Sequence, residues 1–166
     1  AHYVLTDPIH QNLVSEWNWI EALIASVPIA ILVMLIVWIN QFQDAPSDAA
    51  VGKNTWVVRT AEQGEWMKLE KPMRLYKQFM IEAFVAVAFV GALSFFTDYG
   101  TVYAFMALLP LVLVWKAFKM ADEWMVKWNN PEADRQKVPY ELLLVNVSTI
   151  GIHFLTSILL AVAYIL

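Results

Sequence analysis

Four long apolar stretches, separated by polar segments, set the pattern of this 166-residue chain. They cover residues 19–40, 72–97, 101–129 and 139–166. A helix needs roughly 20 consecutive apolar residues to cross a bilayer, and each stretch contains a run of about that length. The pattern therefore predicts an all-α integral membrane protein with four transmembrane helices.

The composition supports this interpretation. Hydrophobic residues make up 60% of the chain and charged residues 16%, against about 45–50% and about 25% in soluble domains. The charges gather between the apolar stretches, so the excess hydrophobicity is not spread through a soluble core. The chain has no cysteine, which excludes disulfides, thiolate catalysis and Cys-ligated metal.

The second and third spans are predicted to form an antiparallel hairpin, because only a tight turn at residues 98–100 separates them. Both helices are longer than the hydrocarbon core requires, so they are expected to extend beyond the membrane on the side away from this turn. A short interfacial helix is predicted over residues 8–17, where apolar side chains recur at helical spacing.

The connecting segments are predicted to be less regular. Residues 41–71 form the longest loop, which is expected to be flexible over 43–52 because proline and small residues gather there. Residues 55–60 and 65–70 are candidates for the strands of a small β-hairpin. A shorter loop over 130–138 leads into the fourth span.

The basic residues predict the orientation in the membrane. All eleven Lys and Arg lie within residues 53–77 and 116–137, and with four spans these two segments fall on the same side. Because cytoplasmic loops are enriched in Lys and Arg, that side is expected to be cytoplasmic. Both termini are then outside, as in a multi-pass protein of the cell (inner) membrane.

The fourth span carries a continuous polar stripe at spacings of three and four residues. Its members are Asn146, Thr149, His153, Thr156 and Ser157. Lipid offers such groups no hydrogen-bond partner, so the stripe is expected to face protein or a wet cavity. It either holds helices together or lines a pathway, and the absence of any carboxylate favours the first interpretation.

His153 is the most chemically suggestive member, because an ionisable residue near mid-membrane is often functional. It is a candidate ligand for haem or quinone, although b-type haem commonly needs two axial ligands and no other histidine lies in a span. The alternative, which we favour, is a neutral imidazole hydrogen-bonded to a carbonyl freed by Pro28 or Pro110.

Glu82 and Lys116 are predicted to lie at the same depth, roughly 10 Å from the midplane. An ion pair between them, with Asn146 nearby, would lower the cost of placing each charge in the membrane. In the equally weighted alternative, Lys116 extends to the headgroups and Glu82 pairs with Lys77 or with no residue.

Small and aromatic residues predict how the helices pack and sit. Small residues at four-residue spacing permit close helix contacts on spans one and two: Ala22, Ser26 and Ala30, and Ala88 and Ala92. Interfacial belts are expected from Trp17, Trp19, Trp38 and Trp115. Trp124 and Trp128 form a stripe with Met120 that is expected to lie on the membrane or against a partner.

No motif in the sequence indicates a catalytic or metal site, no cofactor is required, and matched acidic and basic residues argue against nucleic-acid binding. The leading hypothesis is an accessory or structural subunit of a multi-subunit membrane complex, most plausibly a bioenergetic (electron-transfer) one. Its expected partners are the lipid bilayer and other membrane subunits. The alternatives are a small transporter or channel with a polar path along span four, and a redox subunit holding haem or quinone through His153.

Overall fold

The computed structural model of the protein describes residues 18–61, 65, 67–97, 99–134 and 137–166. Within these ranges the chain is helical and contains no β-strand. Four helices are long and apolar enough to cross a membrane, which confirms the predicted fold class at that level. The interfacial helix predicted over residues 8–17 and Trp17 lie outside the described residues.

Five α-helices and two 3-10 helices make up the described chain. The α-helices are α1 (Asn18–Ala50), α2 (Trp56–Thr60), α3 (Glu70–Leu93), α4 (Leu111–Trp128) and α5 (Leu143–Ala163). The 3-10 helices Val102–Leu108 and Val138–Leu142 lead into α4 and α5. The third span is thus in two pieces, because Pro110 has no N–H to donate and its ring disfavours a continuous α-helix through the preceding turn.

The first helix is much longer than predicted. The segment 43–52 is not a flexible loop: α1 continues to Ala50 through Pro46, although proline inside a helix removes a hydrogen bond. Phe42 and Ala45 explain this, because both are fully buried against the rest of the protein. Tertiary packing therefore stabilises a helical continuation that local propensity does not favour.

The β-hairpin predicted over residues 55–60 and 65–70 is wrong. Residues 56–60 form the short helix α2, and no strand occurs in the described part of 65–70. The helix is held against α1, because the Val57 N–H donates to the Gln41 side chain at 3.2 Å and the Trp56 ring lies 5.9 Å from the Trp38 ring. Val57 and Val58 are both buried there, which strict strand alternation would not allow.

One end of the bundle, which we call the polar end (described residues 38–61, 67–72, 119–134 and 137–142), is closed by buried tryptophans. Trp124 and Trp128 stack with ring centroids 5.4 Å apart, and Phe42 meets Trp124 edge-on at 6.0 Å. The indoles of Trp38, Trp124 and Trp128 donate to the backbone carbonyls of Pro72, Val138 and Met67.

These contacts correct two expectations. Trp38 does not belong to an interfacial belt, and the stripe of Trp124 and Trp128 lies neither on the membrane nor against a partner. All three rings fill the protein's own interior, and their N–H groups find acceptors in the first turn of α3, at the start of the second 3-10 helix and in the segment before α3. Trp19 and Trp115 remain exposed, as a belt requires.

The opposite end, which we call the turn end (described residues 18–24, 90–97, 99–105 and 160–166), is built on close backbone approaches. Gly100 has a φ of 83°, and its N–H donates to the Glu21 carboxylate at 3.3 Å. A Cβ at Gly91 would lie 3.0 Å from the Phe105 ring. Glycine at these positions therefore lets α1, α3 and the first 3-10 helix meet closely.

Candidate functional site

The polar stripe of α5 is turned into the bundle. Thr149 and Thr156 are fully buried, and Asn146 is 4% exposed. His153 and Ser157 are half-buried. Apolar residues alternate with the stripe on the same inner face, including Val145, Ile152 and Leu160.

One member of the stripe makes a buried side-chain bond to another helix. The hydroxyl oxygens of Tyr76 on α3 and Thr149 on α5 are 2.7 Å apart. Because the Thr149 hydroxyl donates to the Val145 carbonyl at 2.8 Å, the Tyr76 hydroxyl is the donor of the shared bond. This is the helix-to-helix contact that a polar stripe in a membrane is expected to make.

The direction of this bond leads to an asymmetric prediction. Thr149→Val leaves the buried Tyr76 hydroxyl without an acceptor, which should cost about 1–3 kcal/mol of folding free energy. Tyr76→Phe leaves Thr149 bonded to Val145 and should cost less. The double variant should be more stable than Thr149→Val alone, as measured by thermal unfolding in detergent. Additive losses would show that the two hydroxyls are not coupled.

Other oxygens of the stripe find no partner in the part of the chain that the structure describes. Asn146 Oδ1, Thr156 Oγ1 and Ser157 Oγ are buried without a hydrogen bond among the described residues. Buried polar groups in proteins are nearly always paired, so these atoms require an explanation. The Tyr164 hydroxyl is also buried without a hydrogen bond among the described residues. It extends this row of unpaired oxygens to the turn end.

Sequence reasoning missed Tyr164 as a member of this row. The available signal was its distance of seven residues from Ser157, which places the two side chains on the same helical face. With Tyr164 included, the row from Asn146 spans about 27 Å at 1.5 Å per residue. That distance approaches the roughly 30 Å thickness of the hydrocarbon core.

Metal chemistry finds no support in the described part of the chain. No group of three or more His, Asp or Glu side chains there is arranged to hold a metal ion. His153 is half-buried on α5, and the other two histidines, His2 and His10, lie outside the described residues. The residue thus remains a candidate hydrogen-bonding or ligand group without a second described histidine beside it.

Glu82 and Lys116 do not meet within the chain. Glu82 is exposed and accepts a hydrogen bond from Gln78 at 2.8 Å, while Lys116 is exposed on α4. Lys77 does not take the place of Lys116 as partner, because it pairs with Asp122. Asn146 is buried inside the bundle, whereas both charged side chains are exposed.

Helical phase explains why the predicted pair does not form. The Lys77–Asp122 ion pair lies between α3 and α4. Glu82 follows Lys77 by five residues, a rotation of about 140°, and Lys116 precedes Asp122 by six residues, a rotation of about 120° in the opposite sense. Both side chains are therefore turned away from the contact between the two helices.

Two of the three small residues predicted to form a packing face on α1 are not buried in the described part of the chain. Ser26 and Ala30 are exposed, and the Ser26 hydroxyl donates to the Leu23 carbonyl; Ala22, Ala88 and Ala92 are half-buried. The fully buried alanines include Ala83 on α3, and Ala117 and Ala121 on α4. The last two have the same four-residue spacing, which the sequence displays as plainly as the others.

Comparison of the whole chain with protein-family models, with curated proteins and with solved structures finds no match.

Proposed function

We propose that this protein is a non-catalytic structural subunit of a larger membrane assembly. The observation that supports this proposal is the outward position of Glu82 and Lys116, each near the middle of a candidate span. Glu82 lies about 18 Å along the axis from Glu70 and about 16 Å from Leu93 at 1.5 Å per residue. Lys116 lies about 18 Å from Trp128 by the same measure.

Lipid is a poor environment for either side chain. On insertion scales a charged residue costs about 2.5–3.5 kcal/mol at the centre of a transmembrane helix and less towards its ends. The neighbours of Glu82 on the outer face are apolar, including Ile81, Val85 and Phe89. A protein surface that offers hydrogen bonds and an opposite charge removes this penalty, so the outer face of α3 and α4 suits contact with another chain.

The proposal includes a topology. The basic segments favour a cytoplasmic polar end, with both termini on the outer side of the cell membrane. Contacts at matched positions, Glu70 with Asn129 and Lys77 with Asp122, support an antiparallel hairpin of α3 and α4. We place the assembly among bioenergetic, electron-transfer complexes, in which the protein would be an accessory subunit beside the chains that carry the chemistry.

The test is the composition of the particle that contains the chain. We expect an affinity-tagged chain, extracted from its own membranes in mild detergent, to have a native mass well above its 19.0 kDa. Mass spectrometry of the denatured particle identifies the accompanying chains. A particle of 19.0 kDa, free of other chains, would contradict the proposal.

A small transporter or channel is a second candidate, favoured by the row of unpaired oxygens along α5. Asn146, Ser157 and Tyr164 present them at intervals that nearly cross a bilayer. Such groups replace the hydration shell of a permeating solute in a polar path. In this function Glu82 and Lys116 lie off the path, because both are on the outer surface.

Substitutions of His153 separate these functions. If its role is a hydrogen bond at a helix contact, His153→Gln keeps a donor and an acceptor and should cost little, whereas His153→Leu should cost about 1–2 kcal/mol at most. In a transport path, both variants should stay folded and lose flux in vesicles. In a haem subunit, both should lose a Soret band equally. We expect the first pattern, and a Soret band lost in His153→Gln would overturn it.

A further inference from the structure

The outer face of α3 and α4 forms one band, which we call the outer band, that carries a negative and a positive charge amid apolar side chains. On α3 it consists of Gln78, Ile81, Glu82, Val85 and Phe89, and on α4 of Val112, Trp115 and Lys116. All of these side chains are exposed, and the large apolar ones among them are more than half exposed.

Two contacts between α3 and α4 show that the two charges lie at one level along the bundle. The Asn129 side chain donates to the Glu70 carboxylate at 3.0 Å, and Lys77 pairs with Asp122. Glu82 is about 18 Å beyond Glu70, and Lys116 is about 20 Å before Asn129 on the neighbouring helix. Along the bundle axis, the opposite charges of Glu82 and Lys116 therefore lie within about 2 Å of the same level, although the two side chains do not touch.

In a membrane, Glu82 and Lys116 are matched in level between two copies of the chain as well as within one copy. Copies of one chain insert in the same orientation, so a residue lies at the same depth in every copy. Glu82 of one copy is therefore level with Lys116 of any neighbouring copy. A face that carries both members of an ion pair at one level is self-complementary, which is what a symmetric contact between identical subunits requires.

We propose that two copies of this chain associate through the outer band, with Glu82 of each copy paired to Lys116 of the partner subunit. Gln78 holds one oxygen of the Glu82 carboxylate and leaves the other to accept from the lysine. The exposed Val85 and Val112 pack beside the pair. This inference rests on the proposed function and identifies a second copy as one neighbour in the assembly.

The absence of cysteine makes the contact directly testable by disulfide cross-linking in membranes. Val85→Cys and Val112→Cys, made in two differently tagged copies, should give a mixed disulfide dimer at twice the 19.0 kDa of the chain. The matched control is Val33→Cys on α1, which is exposed like the other two valines. Paired with Val112→Cys, it should not cross-link.

Charge reversal then tests the ion pair in the same membranes. Glu82→Lys in both copies should lower the yield of the dimer at least about fivefold, and adding Lys116→Glu should restore it. Glu82→Gln, which inserts more readily than a reversed charge, should give an intermediate yield. No cross-link through Val85→Cys, or one that charge reversal leaves unchanged, would overturn the proposal.

The particle mass distinguishes this failure from that of the proposed function. A particle with other chains but a single copy of this one would refute the self-association and leave the structural role standing. A free monomer would refute both.

Discussion

Replacing Trp128 by alanine should destabilise the protein by about 3–5 kcal/mol, a large share of the stability of a chain this size. The ring is fully buried at the polar end, and it stacks on Trp124 at 5.4 Å. Its N–H donates to the Met67 carbonyl at 2.8 Å, which ties α4 to the segment before α3. Alanine removes the ring, the stacking and the hydrogen bond together.

The matched control is Trp19→Ala, since this tryptophan on α1 is 56% exposed and lies outside the outer band. It should change stability by less than about 0.5 kcal/mol. Trp128→Phe keeps an aromatic ring but loses the donor, so its loss should fall between those of the two alanine variants. Thermal unfolding in one detergent compares all three. Equal losses for Trp128→Ala and Trp19→Ala would show that the polar end is not packed as described.

Gly100→Ala should also be strongly destabilising, by about 2–5 kcal/mol. A φ of 83° is unfavourable for any residue with a Cβ. The new atom would lie 2.3 Å from the Val90 carbonyl oxygen, so the backbone must move. Such a movement also disturbs the Gly100 N–H bond to Glu21, which joins the turn to α1.

Gly52→Ala is the control that separates the strain of the positive φ from the clash with the Val90 carbonyl oxygen. Gly52 has a φ of 71°, and a Cβ there would meet no atom within 4 Å. It therefore carries the dihedral strain alone, about 1–2 kcal/mol. The unfolding temperature of Gly100→Ala should be well below that of Gly52→Ala. If the two variants unfolded at the same temperature, the close approach to Val90 would contribute nothing to the loss of stability.

Features that depend on length along a helix could be predicted from the sequence. Runs of apolar residues identified the four candidate spans, because a fixed rise per residue converts a count into a distance. The same conversion matched Glu82 with Lys116 in level. It could not show whether the two side chains face each other, since that depends on how each helix is rotated against its neighbours.

Features that depend on contacts between distant segments could not be predicted. Pro46 and its small neighbours favour a loop locally, yet the buried Phe42 and Ala45 extend α1 through them. Trp124 and Trp128 show the regular spacing of a surface stripe. That spacing does not reveal that Phe42, Met67 and Val138 supply the opposing surface.

The candidate site shows the same division. Spacing alone identified the polar stripe of α5, because five polar residues recur on one helical face. Which member forms a bond depended on Tyr76, whose hydroxyl has no signature in the sequence of α3. That Asn146 Oδ1 and Thr156 Oγ1 have no hydrogen-bond partner among the described residues is likewise a property of the packed bundle.

The length of α1 has a consequence for how the two ends of the molecule respond to temperature. Thirty-three residues of α-helix measure about 50 Å, so roughly 20 Å of α1 extends beyond the hydrocarbon core. The tryptophans around this extension are buried away from water, and the hydrophobic stabilisation gained by such burial weakens on cooling. Helix packing inside the bilayer lacks that driving force, because lipid tails are as apolar as the side chains. The two ends of α1 thus depend on different driving forces, and cooling should loosen the packing at the polar end before it loosens the helices inside the bilayer.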